Sequence, residues 1–273
     1  MGMNKINSYL EKTAHLPKTL FRYRSLDRAV GEIRDEYVWF SSPLDNNDPF
    51  DSWPSMEGCD SDIRQLLREQ GLDDTGIIAD CVCGDREMIV IGKLLELLGR
   101  YAICCFTARA DSLQMWSLYA RNHSGICIEY DVPALSSLGA LKQVMYSEKM
   151  LARPFRESTT PDMRELVKAF FDKSSEYKSE EEWRIVETNK GKVHLSDCIR
   201  GVYLGTNYRI LKEEEIALLK ELIAICGERD IPLYVMHRSF TDYHLTPVRI
   251  NGENLSEEGR MELFNLNRFL DYK

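Results

Sequence analysis

Glu180 and Glu182 stand either side of one residue in KSEEEWRIVE, just ahead of an apolar stretch. On extended backbone such a pair shares a face at about 7 Å. Two carboxylates aimed into one cleft can divide the work: one orients a substrate hydroxyl or stabilises a cationic transition state, the other acts as acid or base. The same pattern serves as a solvated acidic entrance to a strand, with Arg184 as its salt-bridge partner. FRYRS places Arg22 and Arg24 on one strand face and Tyr23 on the other. Paired guanidiniums suit a phosphate or pyrophosphate through forked hydrogen bonds, and they suit the acidic segment that follows equally well. In MWSLYARNHSGICIEY, Trp116 and Tyr119 are three apart and Tyr119 and His123 four apart, the spacing of neighbouring helical turns. An aromatic face beside an imidazole can hold a base or nicotinamide ring; the alternative is ordinary core, with His123 bonding the helix end.

The stretch WFSSPLDNNDPF has a local explanation: Pro43 and Pro49 stiffen it, and Asn and Asp make side-chain-to-backbone turns. Its position adds something, because it leaves a strand after a basic segment and enters an acidic one. Ser41, Asn47 and Asp48 are therefore candidates for a site rim. Asp45, Asp48 and Asp51, three apart, would be needed by a metal-dependent nuclease, but they are loop-borne. Cys81-Val-Cys83 and Cys104-Cys105 provide neither a CxxC pair nor a nearby histidine pair, so no metal is expected. There is no GxGxxG, GxxxxGK[ST] or GxSxG, which argues against Rossmann, P-loop and α/β-hydrolase sites.

The elements that must carry these residues follow from periodicity. TLFRYR and YVWFS read as strands flanking a helix that ends near Arg34. YAICCFT is a near-continuous apolar strand of a sheet interior. LQMWSLYARNH reads as a helix, ICIEYD, LKQVMYS, WRIVE, IRGVYLG and IPLYVMHRSF as strands, and residues 161–173, KEEEIALLKELIAICGE and SEEGRMELFNLNRFL as helices. Residues 4–13 and 59–99 also read as helical, the latter an insertion within one domain spanning 1–273. Without a strict βαβ rhythm the expected class is α+β, a mixed, largely antiparallel central sheet with helices packed around it.

The bulk numbers set outer limits. The 273 residues can bury a sizeable core, and no segment reaches the roughly 20 apolar residues that span a bilayer. The N-terminus has lysines but no apolar block behind them, so a cytoplasmic location with reduced, mostly buried thiols is expected. A net charge of -9 argues against broad nucleic-acid binding without excluding a local contact. The charge is unevenly spread: residues 1–34 hold seven Lys/Arg against three Asp/Glu, and residues 35–96 four against fifteen.

Taken in order, FRYRSLD, WFSSPLDNNDPFD, CFTARADSLQMWSLYARNHSGICIEYD, EEEWRIV and RGVYLG resemble a bacterial family catalogued as domain of unknown function 2971, over roughly residues 20 to 240. Asn46 departs from it, standing where the family usually has an aromatic or apolar residue before Asn-Asp-Pro. The layout is also similar to ADP-ribosyltransferases. That resemblance implies NAD as substrate, with Arg22 or Arg24 holding its phosphates, Ser41 or Ser42 lining the nicotinamide side and Glu182 promoting transfer. It further implies a setting in phage defence or toxin systems. The competing expectation is a binding or sensor module without chemistry, in which the glutamates and arginines form a structural ion network.

Overall fold

The computed structural model describes residues 15–55, 92, 94–154, 162–188 and 190–272. The helix expected over residues 4–13 and most of the expected 59–99 insertion lie outside these. The described residues open with β1 (Thr19–Arg24), α1 (Leu26–Arg34) and β2 (Tyr37–Phe40), the strand, helix, strand order expected from the sequence. Then come β3 (Ala102–Thr107), α2 (Leu113–Tyr119), β4 (Ile126–Asp131), α3 (Val132–Leu135), β5 (Leu141–Gln143) and β6 (Met145–Ser147). The remainder is α4 (Met163–Ala169), β7 (Asp172–Ser174), β8 (Glu182–Glu187), β9 (Gly191–His194), β10 (Ile199–Leu204), α5 (Glu213–Glu228), β11 (Leu233–Arg238), β12 (Leu245–Arg249) and α6 (Glu257–Asp271).

Eight strands form one sheet in the order β12-β11-β10-β4-β1-β3-β8-β5, in which only β10 and β11 run parallel. This is the mixed, mostly antiparallel sheet of an α+β fold. Pro247 lies in β12, an edge strand, where the missing N–H costs no ladder bond. Two smaller pairs stand apart from it: β2 with β9, antiparallel, and β6 with β7, parallel. LKQVMYS, expected as one strand, is split between the large sheet and the small parallel pair.

Strand alternation sorts the side chains into layers. Leu20, Cys104, Phe106, Ile128, Tyr130 and Ile185 join the main core beneath α1, α5 and α6. In α1 the buried Leu26, Ala29, Val30 and Ile33 recur at helical spacing, so one stripe faces the sheet. On the opposite face Ile103 and Val186 pack with Leu94, Leu98, Phe170 and Phe171, while Tyr23, Cys127 and Tyr203 pack with Trp116.

The sheet is incomplete at one internal seam. Strand β1 pairs with β4 at six positions, Thr19↔Asp131 through Arg24↔Ile126, but meets β3 at one, Phe21↔Thr107. Strand β3 pairs fully with β8 along its other side, and Ser41 bridges to Ile103 further down the same edge that faces β1. Among the described residues, β1 beyond Phe21 therefore has no ladder partner on the β3 side, and a wedge opens between the strands.

Candidate functional site

A cleft of about 390 Å³ occupies this seam. Phe21 to Arg24 of β1 form one wall, Ile103 and Cys105 to Thr107 of β3 the floor, and Met115, Leu118 and Tyr119 of α2 cover it. The loop after β2 supplies Ser41, Asp45, Asn46, Asn47 and Asp51, and Lys173, Glu180 and Glu182 close the far end. Because the sheet is open here, Arg22 and Arg24 on the α1 side and Glu182 on the opposite side reach the same space.

The arginine end is short of partners. Arg22 is 6% exposed and donates from Nη2 to the Trp39 carbonyl at 2.8 Å, tying β1 to β2. Its Nη1 is buried without a hydrogen bond, 3.8 Å from Glu32 Oε2. Arg24 Nε lies 2.9 Å from Glu32 Oε1, an ion pair without hydrogen-bond alignment. The buried Arg22 and the half-buried Arg24 thus share one carboxylate. Burial and the neighbouring Arg22 charge hold Arg24 below the usual arginine range, a strain that a bound anion would relieve.

The carboxylate end is saturated. Arg184, fully buried, forks onto Asp51 (Nη1–Oδ1 2.6 Å, Nη2–Oδ2 2.7 Å) and onto Glu182 (Nε–Oε1 2.7 Å, Nη2–Oε2 2.8 Å), and Nη1 also donates to the Phe170 carbonyl at 2.8 Å. Lys173 Nζ donates to Glu180 Oε2 at 2.5 Å and Glu182 Oε2 at 2.9 Å, and lies 3.7 Å from Asp51 Oδ2. Burial opposes ionisation of Glu182, but Arg184 and Lys173 outweigh it and pull this carboxyl down to about 2. Glu180 Oε1 accepts from the Tyr119 hydroxyl at 2.8 Å, and that hydroxyl accepts from Asn47 Nδ2 at 3.3 Å. Three carboxylates face two cations here, whereas two guanidiniums face one carboxylate at the opposite end, so the cleft is polarised along its length.

The local folding differs from the expectation for Glu180 and Glu182. They do not share a face by strand alternation: Glu180 ends a 3-10 turn (Ser175–Glu180), Glu181 is left-handed with φ 45°, and Glu182 starts β8. The two carboxylates meet because Lys173 gathers them. Thr107 Oγ1 fixes the turn by donating to the Glu180 carbonyl at 2.6 Å, and the Glu182 N–H donates to the Tyr146 hydroxyl at 2.8 Å. Burial pushes Tyr146 up to about 12.

Of the residues singled out from the sequence, Arg22, Tyr23, Arg24, Ser41, Asn47, Tyr119, Glu180 and Glu182 line the cleft. Five others stand elsewhere. Trp116 is fully buried core, its indole N–H donating to the Ala110 carbonyl at 2.8 Å. His123 is not on the helix at all: α2 stops at Tyr119, and Arg121, Asn122 and His123 are all left-handed, which turns the imidazole into a different cavity. Gly125 lets the turn close against β1, since a Cβ there would lie 2.3 Å from the Arg24 carbonyl oxygen. Ser42 caps a short turn, accepting from Leu44 N at 3.4 Å, and Asp48 is buried and accepts from Phe50 N at 2.9 Å. Arg184 supports the site from beneath.

Lys173 and Asn46 were not legible as site residues, and Asp51 was legible only as a metal-ligand candidate, not as the partner of Arg184. Lys173 sits in an unremarkable polar run, and its role depends on the β6–β7 pairing that carries it to the glutamates. Asn46 Nδ2 is buried without a partner at the cleft wall, although its position had marked only a departure from the family pattern. Cys105 also lines the cleft, but burial and then the Glu182 charge hold its thiol well above the usual range, which leaves it protonated and poorly nucleophilic. Among the described residues no group of three or more His, Cys, Asp or Glu is arranged to hold a metal ion. No described helix is long and apolar enough to cross a membrane.

Residues 115–185 match the family described as Protein of unknown function (DUF2971). The family resemblance drawn from the motifs holds over this segment. The DUF2971 segment contains Tyr119, Lys173, Glu180, Glu182 and Arg184, the whole carboxylate end apart from Asp51, while Arg22, Arg24 and Ser41 lie outside it. Neither the curated proteins nor the solved structures give a match.

Proposed function

We propose that the cleft binds NAD and that the protein transfers or hydrolyses its ADP-ribosyl group in the manner of an ADP-ribosyltransferase. The supporting observation is the polarity of the cleft at the open seam: underpartnered Arg22 and Arg24 at one end, Glu180 and Glu182 at the other. NAD carries complementary charge, an anionic pyrophosphate and a cationic nicotinamide ring. Forked guanidinium contacts suit the first, and carboxylates suit the second.

In this reading the bond between C1′ of the ribose and the ring nitrogen breaks, and its electron pair leaves with nicotinamide. The positive charge left on C1′ faces the carboxylates, and an acceptor oxygen or nitrogen forms the new bond as it loses its proton. Glu182 has both oxygens bonded by Arg184 and Lys173, so it is a fixed negative charge that positions its neighbours. Glu180 keeps one oxygen held only by the Tyr119 hydroxyl at the cleft, and it is the catalytic residue that takes the acceptor proton. Asn47 and Tyr119 orient it.

A second reading has its own support. All the N–H donors of Arg184 point at protein acceptors, as in a purely structural ion network, which favours a NAD sensor that performs no chemistry. Calorimetry with NAD, followed by chromatography of released nicotinamide, separates the possibilities. Binding with release that Glu180→Gln abolishes supports the enzyme; binding without release supports the sensor. Absence of NAD binding by the intact protein sinks both.

A further inference from the structure

A second cavity, of about 610 Å³, lies on the other side of α2, between the β11–β12 turn and the segment after α2. Its two walls are built differently. The turn is ordered: Ser239 N donates to the His244 carbonyl at 2.9 Å, and Ser239 Oγ accepts from Thr241 N at 3.2 Å and Asp242 N at 3.3 Å. Yet it holds Phe240 and Tyr243 wholly in solvent, 104% and 99% exposed. Both rings belong to one fixed turn and line the cavity, so the turn presents two solvent-exposed aromatic faces beside it.

The facing wall is stiff. Arg121, Asn122 and His123 are consecutive left-handed residues, with φ 48°, 52° and 66°, a conformation that persists only where its surroundings impose it. Asn207 imposes it here, donating from N to the His123 carbonyl and from Nδ2 to the Asn122 carbonyl, both at 2.9 Å. Gly205 leaves the room, since a Cβ there would sit 2.1 Å from the His123 carbonyl oxygen. The His123 ring lies flat against Trp116, centroids 6.5 Å apart. Burial and the Arg238 charge hold His123 below its ordinary range, so the fixed cation of the cavity is Arg238, which has no ion pair among the described residues, and Asp242 is the acidic residue in the same lining. His244 is 3.7 Å from Asp111 Oδ2, and Asp242 sits on the turn.

The geometry points to a docking site for single-stranded nucleic acid, with bases stacked on Phe240 and Tyr243 and a backbone phosphate on Arg238. Exposed aromatic rings beside an unpaired guanidinium match the two chemical features that recur along such a strand, planar base faces and regularly spaced anions. A duplex keeps its base faces stacked and offers the rings nothing. The net charge of -9 confines the contact to this patch, so only one or two phosphates are neutralised.

The test is fluorescence anisotropy of 5′-labelled single-stranded 12-mers, DNA and RNA, with the full chain at 50 mM KCl. Saturable binding is expected, weakened at least about fivefold in Phe240→Ala/Tyr243→Ala and in Arg238→Ala. Raising KCl fourfold should cost about three- to sevenfold in affinity, the effect of one or two phosphates. The substituted aromatic side chains are fully exposed, so the variant should melt like wild type, and its NAD binding should be unchanged. The idea is overturned by absent binding, by equal affinity of the double variant, by preference for the duplex, or by tighter binding of an acidic aromatic peptide of equal length.

Discussion

Arg184 and Asp51 meet in a two-point fork, Nη1–Oδ1 2.6 Å and Nη2–Oδ2 2.7 Å, although 133 residues separate them in the chain. That contact ties the loop after β2 to β8 at the carboxylate end of the cleft. It is buried on both sides, so its removal is costly in a specific way: the partner left behind is a desolvated charge.

Arg184→Met should therefore destabilise the fold by about 3–5 kcal/mol, because Asp51 and Glu182 lose their main cation together. Urea unfolding at neutral pH measures this. A change within 1 kcal/mol would show that the network contributes little.

The low value of Glu182 predicts acid sensitivity. Its folded-state pKa is depressed to about 2 from the usual 4.5, so its stabilising contribution is present above about 4.5 and fades as pH falls through about 2. In Glu182→Gln the stability lost between pH 4.5 and 2 should shrink relative to wild type, as followed by urea midpoints at several pH values. An unaltered slope would contradict the assignment.

Glu187 predicts the opposite sign. Its Oε1 is buried without a partner beside Gly139, and burial raises its pKa. Any stability linked to the protonated form is present below the ordinary carboxylate range and lost as pH rises through the raised value. Glu187→Gln should melt higher than wild type at pH 7 and converge with it near pH 3, by calorimetry; a lower melting temperature at pH 7 counts against the unpaired carboxylate.

Tyr119→Phe removes one hydrogen bond to Glu180 with little change in shape. If the carboxylate acts on bound NAD, kcat should fall about five- to tenfold, the worth of one such bond, with KM nearly unchanged. Equal nicotinamide release by both proteins would remove Tyr119 from the site.

Arg24→Gln tests the arginine end. With Arg22 left to tie β1 to β2, the variant should fold, and NAD affinity should drop about tenfold or more through loss of a charged contact. Unchanged affinity by calorimetry would mean that the phosphates lie elsewhere.

Much of the scaffold was legible because it rests on local periodicity. TLFRYR, AICCFT and ICIEYD alternate or run apolar in ways only strands satisfy, and α5 and α6 show helical stripes. The misreadings cluster where a distant contact overrides propensity. His123 was separated from Tyr119 because α2 ends at Tyr119 and a left-handed run follows, held by Asn207 from a distant segment and closed where Gly125 passes the Arg24 carbonyl. Short edge strands such as β9 and β12 were missed because each carries too few residues to show a period.

By itself the sequence determined most of the longer strands and helices, the placement of arginines on the first strand and the occurrence of two glutamates before another, since these depend on near neighbours and side-chain type. Only the tertiary structure decided that β1 and β3 part after a single paired position, and that Lys173, Asp51 and Arg184 converge on those glutamates. The reason is physical: a buried charge is tolerable only with a partner at hydrogen-bond distance, and that partner can come from anywhere in the chain that folding brings near.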